Sequence, residues 1–155
     1  MQTQFDHDNN KGRKAEILFE QYLVARNNQT ENSSLKGNFS LWDISCTSFT
    51  SNVSTFEVKA QSHYHVDNVI IETCRIVDEQ KTPSGLSATQ ADYYVFLFEG
   101  DPAFYVIKTT KLKLMVESNK GNKVITYDAN GYQLYCYDKA FFKKKCIKLP
   151  INVQK

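Results

Sequence analysis

From Thr55 to Gln61 the chain alternates without a break. Phe56, Val58 and Ala60 fall on one side of an extended segment, and Thr55, Glu57, Lys59 and Gln61 fall on the other. That period reads as a strand laid with its apolar side on a core. Its other side is less common, because it lines up a carboxylate, an amine and an amide. Asp43 closes an earlier apolar segment, Leu41-Trp42-Asp43-Ile44, and can supply a second carboxylate from a neighbouring strand. Two carboxylates from adjacent strands, with a lysine two residues beyond one of them, suit a hard divalent cation. The ammonium beside them suits phosphate charge.

A formal net charge of +2 over 155 residues excludes a generic polycation, so any nucleic-acid surface must come from local clustering. The length suits a single domain, residues 1–155, with a sizeable core. No apolar run approaches the ~20 residues that span a bilayer. The first residues lack the basic start and apolar centre of a signal peptide, which reads as a cytoplasmic location. Cys46, Cys74, Cys136 and Cys146 match no zinc-module spacing and read as buried free thiols. His63 and His65 would share a strand face, but with no third ligand in view they read as exposed strand-end residues.

Ala15, Leu18, Phe19, Tyr22 and Leu23 form one apolar helical stripe, opened by Lys11-Gly12-Arg13-Lys14 and flanked by Glu16. Residues 29–36 read as a polar loop. Strands follow at 39–45, 53–61 and 68–76, the third with a nearly continuous apolar run that predicts burial on both faces. Glu72 interrupts it, either ion-paired at a sheet rim or near the acidic centre. Ser87-Ala88-Thr89-Gln90 has the form of a capping box before a short helix. Strands at 93–98 and 104–107, a helix at 110–118 and a hairpin across a two-residue Asn130-Gly131 turn complete the pattern. Residues 139–148 are basic and aromatic, and the remainder reads as a tail.

Helix, three strands, short helix, strand is the order of the PD-(D/E)xK nuclease superfamily, and the chain resembles it. It is similar to the branch that holds Holliday junction resolvases and small phage or restriction nucleases. Lys11-Gly12-Arg13-Lys14-Ala15-Glu16, Asp43 in Leu-Trp-Asp-Ile, and Glu57-Val58-Lys59 carry the resemblance. Trp42 stands where the name-giving proline would be. The resemblance implies an α/β, restriction-endonuclease-like core over about 11–108, with a helix and hairpin extension over 109–155. It implies Asp43 and Glu57 as metal ligands, with Glu16 and the Val58 carbonyl completing the set. Lys59 would act on the attacking water and the phosphate, and Gln61 would hold the geometry.

An all-oxygen ligand set suits Mg²⁺, with Mn²⁺ as substitute. Lys11, Arg13 and Lys14 can grip a DNA backbone. The expected activity is metal-dependent hydrolysis of DNA, duplex or branched, by an endonuclease. An exonuclease or repair nuclease on the same fold is the alternative, as is a non-catalytic nucleic-acid-binding protein that kept the fold. Cutting two strands needs two sites, which predicts a homodimer, with residues 93–98 and the hairpin as candidate surfaces.

Overall fold

The stripe on the first helix decides the first packing interface. The computed structural model describes residues 4–33, 41–48, 50–61, 67–118 and 123–151, so His63 and His65 lie outside the described residues, as do 34–40 of the expected loop and first strand. Helix α1 (Gln4–Val24) buries Ala15, Phe19 and Leu23, with Leu18 and Tyr22 packed beside them. The Phe19 ring meets Phe56 and Phe104 edge-on, with centroids 5.2 and 5.0 Å away. The helix gives out in the polar run that follows, where Asn27 takes a φ of 61°. It begins well before Lys11, however. Lys11 to Lys14 therefore lie inside the helix and do not open it.

Among the described residues ten strands follow: β1 (Gln29–Asn32), β2 (Ile44–Thr47), β3 (Val53–Gln61), β4 (Asn68–Val77), β5 (Gln80–Pro83), β6 (Tyr93–Phe98), β7 (Ala103–Lys108), β8 (Lys123–Tyr127), β9 (Tyr132–Asp138) and β10 (Ile147–Pro150). Helices α2 (Thr109–Glu117) and α3 (Lys139–Lys143) are set among the later ones. A six-stranded sheet runs β1-β2-β3-β6-β7-β10, and a four-stranded sheet runs β5-β4-β9-β8. Among the described residues, only β3 and β6 pair in parallel. The result is a mixed α/β fold in layers. Helix α1 covers one face of the larger sheet, through Val58, Val95, Phe104 and Val106. The smaller sheet and α2 cover the other, through Val69, Ile71, Phe96, Leu112 and Tyr137. Among the described residues no helix is long and apolar enough to cross a membrane.

Several local expectations are corrected. Residues 29–32 form an edge strand, not loop, because β2 offers them a full antiparallel ladder. The first of the predicted strands, 39–45, begins at Ile44 among the described residues, and Asp43 stands just ahead of it. The meander is β1-β2-β3, so β4 is not its third strand but the second strand of the smaller sheet. Burial on both faces belongs to β6, whose run Tyr94, Val95, Phe96 is fully enclosed between β3 and β7. A strand so enclosed cannot be a dimer surface.

The expected capping box is instead a 3-10 turn at Gly85–Ser87, with Ser84 ahead of it and no side-chain cap. The hairpin loop is three residues long, not two. Gly131 donates its N–H to the Asp128 carbonyl at 3.1 Å and adopts a φ of 79°, a turn closed by a glycine bulge. The start of the supposed tail, Leu149 and Pro150, pairs with β7 as the end of an outer strand. The basic segment before it is absorbed into the fold only in part, since Lys144, Lys145 and Lys148 stay exposed. Lys143 is ion-paired with Asp101 and lies over the Phe98 and Tyr105 rings. All four cysteines are free, Cys46 and Cys74 being buried and Cys136 and Cys146 half-buried.

Candidate active site

Parallel pairing of β3 with β6 sets two faces against two cores. Val58 opposite Val95 faces α1, while Glu57 opposite Tyr94 and Lys59 opposite Phe96 face the second layer. The alternation of β3 thus turns its polar side towards the smaller sheet. Asp43 reaches the same place from the adjacent strand. Its N–H donates to the Phe56 carbonyl at 3.0 Å, and its Oδ2 accepts from the Val58 N–H at 2.7 Å. Lys59 Nζ lies 2.6 Å from Glu57 Oε1, with the Glu57 side chain 13% exposed and that of Lys59 43% exposed. Glu57 Oε2 lies 3.2 Å from the Thr89 hydroxyl, which is also 3.2 Å from the Leu41 carbonyl oxygen.

The charges in this cluster strain one another. Burial pushes the Asp43 carboxyl up to about 7, and the Glu57 carboxylate adds to that; Glu16 contributes least. Lys59 and the Val58 N–H pull the other way. Burial also works against the Lys59 ammonium, but Glu57 and Asp43 more than offset it, so its pKa lies above the ordinary lysine value. Lys59 is therefore a cation at neutral pH. The pair Asp43 and Glu57 is an oxygen-only donor set whose mutual repulsion a hard cation would relieve, and so it fits Mg²⁺ or Mn²⁺. Among the described residues, no three acidic, histidine or cysteine side chains stand together as a metal cage.

The structure brings Asp43, Glu57 and Lys59 together, with Glu16 half-buried on α1 and close enough to act on Asp43. Val58 contributes its N–H to Asp43 and buries its side chain under α1. Lys11 pairs with Glu99 at 3.4 Å, while Arg13 and Lys14 are exposed. Gln61 sits on the same side of β3 as Glu57 and Lys59 but is engaged with the smaller sheet. Its Nε2 donates to the Ile70 carbonyl at 2.7 Å, and its Oε1 accepts from the Ile70 N–H at 3.2 Å. The amide thus imitates a strand partner on the edge of β4 away from β9, which β5 covers only from Cys74 to Val77. Gln61→Ala is expected to lower unfolding stability by about 1–3 kcal/mol, because both Ile70 groups lose their partner. Denaturant unfolding measures this, and an unchanged midpoint would contradict it.

Two neighbours of the cluster are not singled out by sequence. Thr89 lies inside an apparent capping box, which masks its contact with Glu57. Tyr94 lies in an aromatic run that reads as core. It is core, at 2% exposure, yet its hydroxyl is buried without a hydrogen-bond partner among the described residues. Burial and the charges of Glu57, Glu72 and Asp43 hold that hydroxyl protonated. Glu72, for which the sequence allows a sheet rim or the acidic centre, accepts from the Ser84 hydroxyl at 2.5 Å and is close enough to act on both Lys59 and Tyr94.

No protein-family model matches the chain, and no curated protein matches it. Among solved structures, that of the bacterial homing endonuclease I-Ssp6803I is similar. Its TM-score is 0.54 over 79% of this chain and 86% of that one, at 16% sequence identity. The likeness is one of fold. The six-stranded sheet with its helices has the α/β architecture of that nuclease.

Proposed function

We propose that the chain is a metal-dependent DNA endonuclease of the PD-(D/E)xK type. The observation that carries the reading is the cluster itself: two carboxylates from adjacent strands in partial burial, with Lys59 Nζ at 2.6 Å from one of them. A charge arrangement that raises the pKa of Asp43 is unfavourable for folding alone, and such perturbed groups concentrate at functional sites.

Asp43, Glu57 and the Val58 carbonyl would hold the ion, with Glu16 acting on it from further off, through water. Bound there, Mg²⁺ or Mn²⁺ would supply charge neutralisation at the phosphoryl oxygen and a water of lowered pKa. Lys59 would place its ammonium where negative charge grows on the phosphate, and its long stem lets it leave Glu57 to do so. Thr89 would hold the second Glu57 oxygen in place, and Gln61 would fix the spacing of the two sheets at the site by tying β3 to β4. Arg13 and Lys14 would meet the DNA backbone from α1. Two copies of the chain would supply the two sites that cutting both strands requires.

Covalently closed plasmid, linear duplex and a four-way junction, each incubated with Mg²⁺, test this reading. Closed circles converted to linear form, with little nicked circle accumulating, is the result expected of paired endonuclease sites. Degradation of linear duplex alone would favour an exonuclease. No cleavage of any substrate in Mg²⁺ or Mn²⁺ would refute the proposal.

A further inference from the structure

The start of α2 carries features that the acidic cluster does not use. Thr109 opens this nine-residue helix at 5% exposure, and its hydroxyl has no hydrogen-bond partner among the described residues. The residue ahead of it is Lys108, no side chain caps the helix, and the Thr109 N–H donates to the Asp92 carbonyl at 2.9 Å, so the N–H groups at issue are those of Thr110 and Lys111. An uncapped helix start presents N–H groups and partial positive charge to whatever lies in front of it. What lies in front is a groove of about 560 Å³, lined by Thr109 together with Lys108, Thr110 and Lys113. Thr89 lines the same groove, and its hydroxyl is 3.2 Å from Glu57 Oε2. The groove therefore borders the acidic cluster through Thr89 and takes in the helix start. Asp92 also lines it, but its Oδ2 is engaged by the Thr55 N–H at 2.9 Å and the Thr55 hydroxyl at 3.0 Å.

A buried hydroxyl without a partner, two lysines and a helix start with no side-chain cap have the chemistry of a phosphate site. We propose that the start of α2 binds a backbone phosphate of the DNA other than the one cut, so that the groove sets the register of the strand on Asp43 and Glu57. The assignment of that phosphate to DNA rests on the nuclease reading of the acidic cluster. The site would be a positioning device. It touches no reacting atom, and its loss acts on binding and on where the strand is cut.

Inorganic phosphate titrated into the isotope-labelled full chain is expected to move the amide resonances of Thr110 and Lys111. Thr109→Val should diminish that shift, and Thr109→Ser should restore it. In a second arm, duplex DNA is bound in EDTA, where no cutting is expected. There the double variant Lys108→Ala, Lys113→Ala should bind at least about tenfold more weakly, with a salt slope smaller by about one per lysine. Phosphate that moves none of these amides overturns the site. So does a double variant, shown to be folded, whose affinity and salt slope equal those of a wild type that binds and cuts DNA. A wild type that takes phosphate at α2 yet neither binds nor cuts DNA overturns the nuclease reading, and with it DNA as the source of the phosphate.

Discussion

Lys59→Ala is expected to reduce single-turnover cleavage by about a hundredfold to a thousandfold, the range for losing one group that acts on transition-state charge. Metal binding should survive. The two carboxylates remain, and losing a cation that competes for Glu57 at 2.6 Å should if anything favour the ion. The raised pKa of Lys59 sharpens the prediction. In the metal-free chain it is charged across the neutral range, so its contribution there is electrostatic and not that of a general base. A merely structural Lys59 would behave differently. Its side chain is 43% exposed, and replacing such a residue usually changes stability by under about half a kcal/mol. Calorimetric titration with Mn²⁺, run beside single-turnover kinetics on the folded variant, separates the two. A variant that cuts at near the wild-type rate would contradict an electrostatic role for Lys59 in the transition state.

Asp43→Asn should abolish metal binding and cutting together, and it should also change how the metal-free protein responds to pH. The Asp43 carboxyl goes from an ordinary 3.8 to about 7 on folding, chiefly through burial and then through Glu57. The folded state therefore holds this proton more tightly than the unfolded state. Its contribution to stability is fully present below about pH 3.8 and is lost as the pH rises to about 7. Above that, wild type carries the whole penalty of an ionised Asp43, whereas the asparagine variant carries none. Metal-free Asp43→Asn should gain in melting temperature relative to wild type as pH rises through this window, and the difference should level off above it. Metal reverses the ranking: affinity for Mg²⁺ or Mn²⁺ should rise with pH in wild type, because the ligand must lose its proton. Melting curves from pH 3 to 9, with and without Mn²⁺, measure both effects. Parallel curves for the two proteins would contradict the shift.

How much was legible depended on how local each signal was. The strand at β3 was plain because a period of two over seven residues leaves few other readings, and with it came the side of Glu57 and Lys59. The α1 stripe was equally local. What failed depended on partners far away in sequence. Residues 29–32 look like a loop until β2 is laid beside them. The apolar run of β4 suggested a central strand, but pairing with β9 and a register shift between Glu72 and Cys74 place it in another sheet. Gly85 shows why the expected helix gave way to a tight turn. Its φ is 47°, and a Cβ there would lie 2.5 Å from the Glu72 carbonyl oxygen. Chain passing that close to β4 brings Ser84 to Glu72, and the turn then leads on to Thr89 at Glu57. None of that close approach is written in the Ser-Ala-Thr-Gln run itself.

The most direct test of the acidic cluster as a metal-dependent cutting centre is single-turnover cleavage of closed plasmid across a Mg²⁺ titration, for wild type and Glu57→Gln side by side. Wild type should be silent in EDTA, saturate with Mg²⁺ and fall silent again when chelator is added. Glu57→Gln should stay folded and cut no faster than the EDTA control at any Mg²⁺ concentration. Wild-type cleavage undiminished in excess EDTA, or a Glu57→Gln variant that saturates like wild type, would contradict a metal-dependent cutting centre at Asp43 and Glu57.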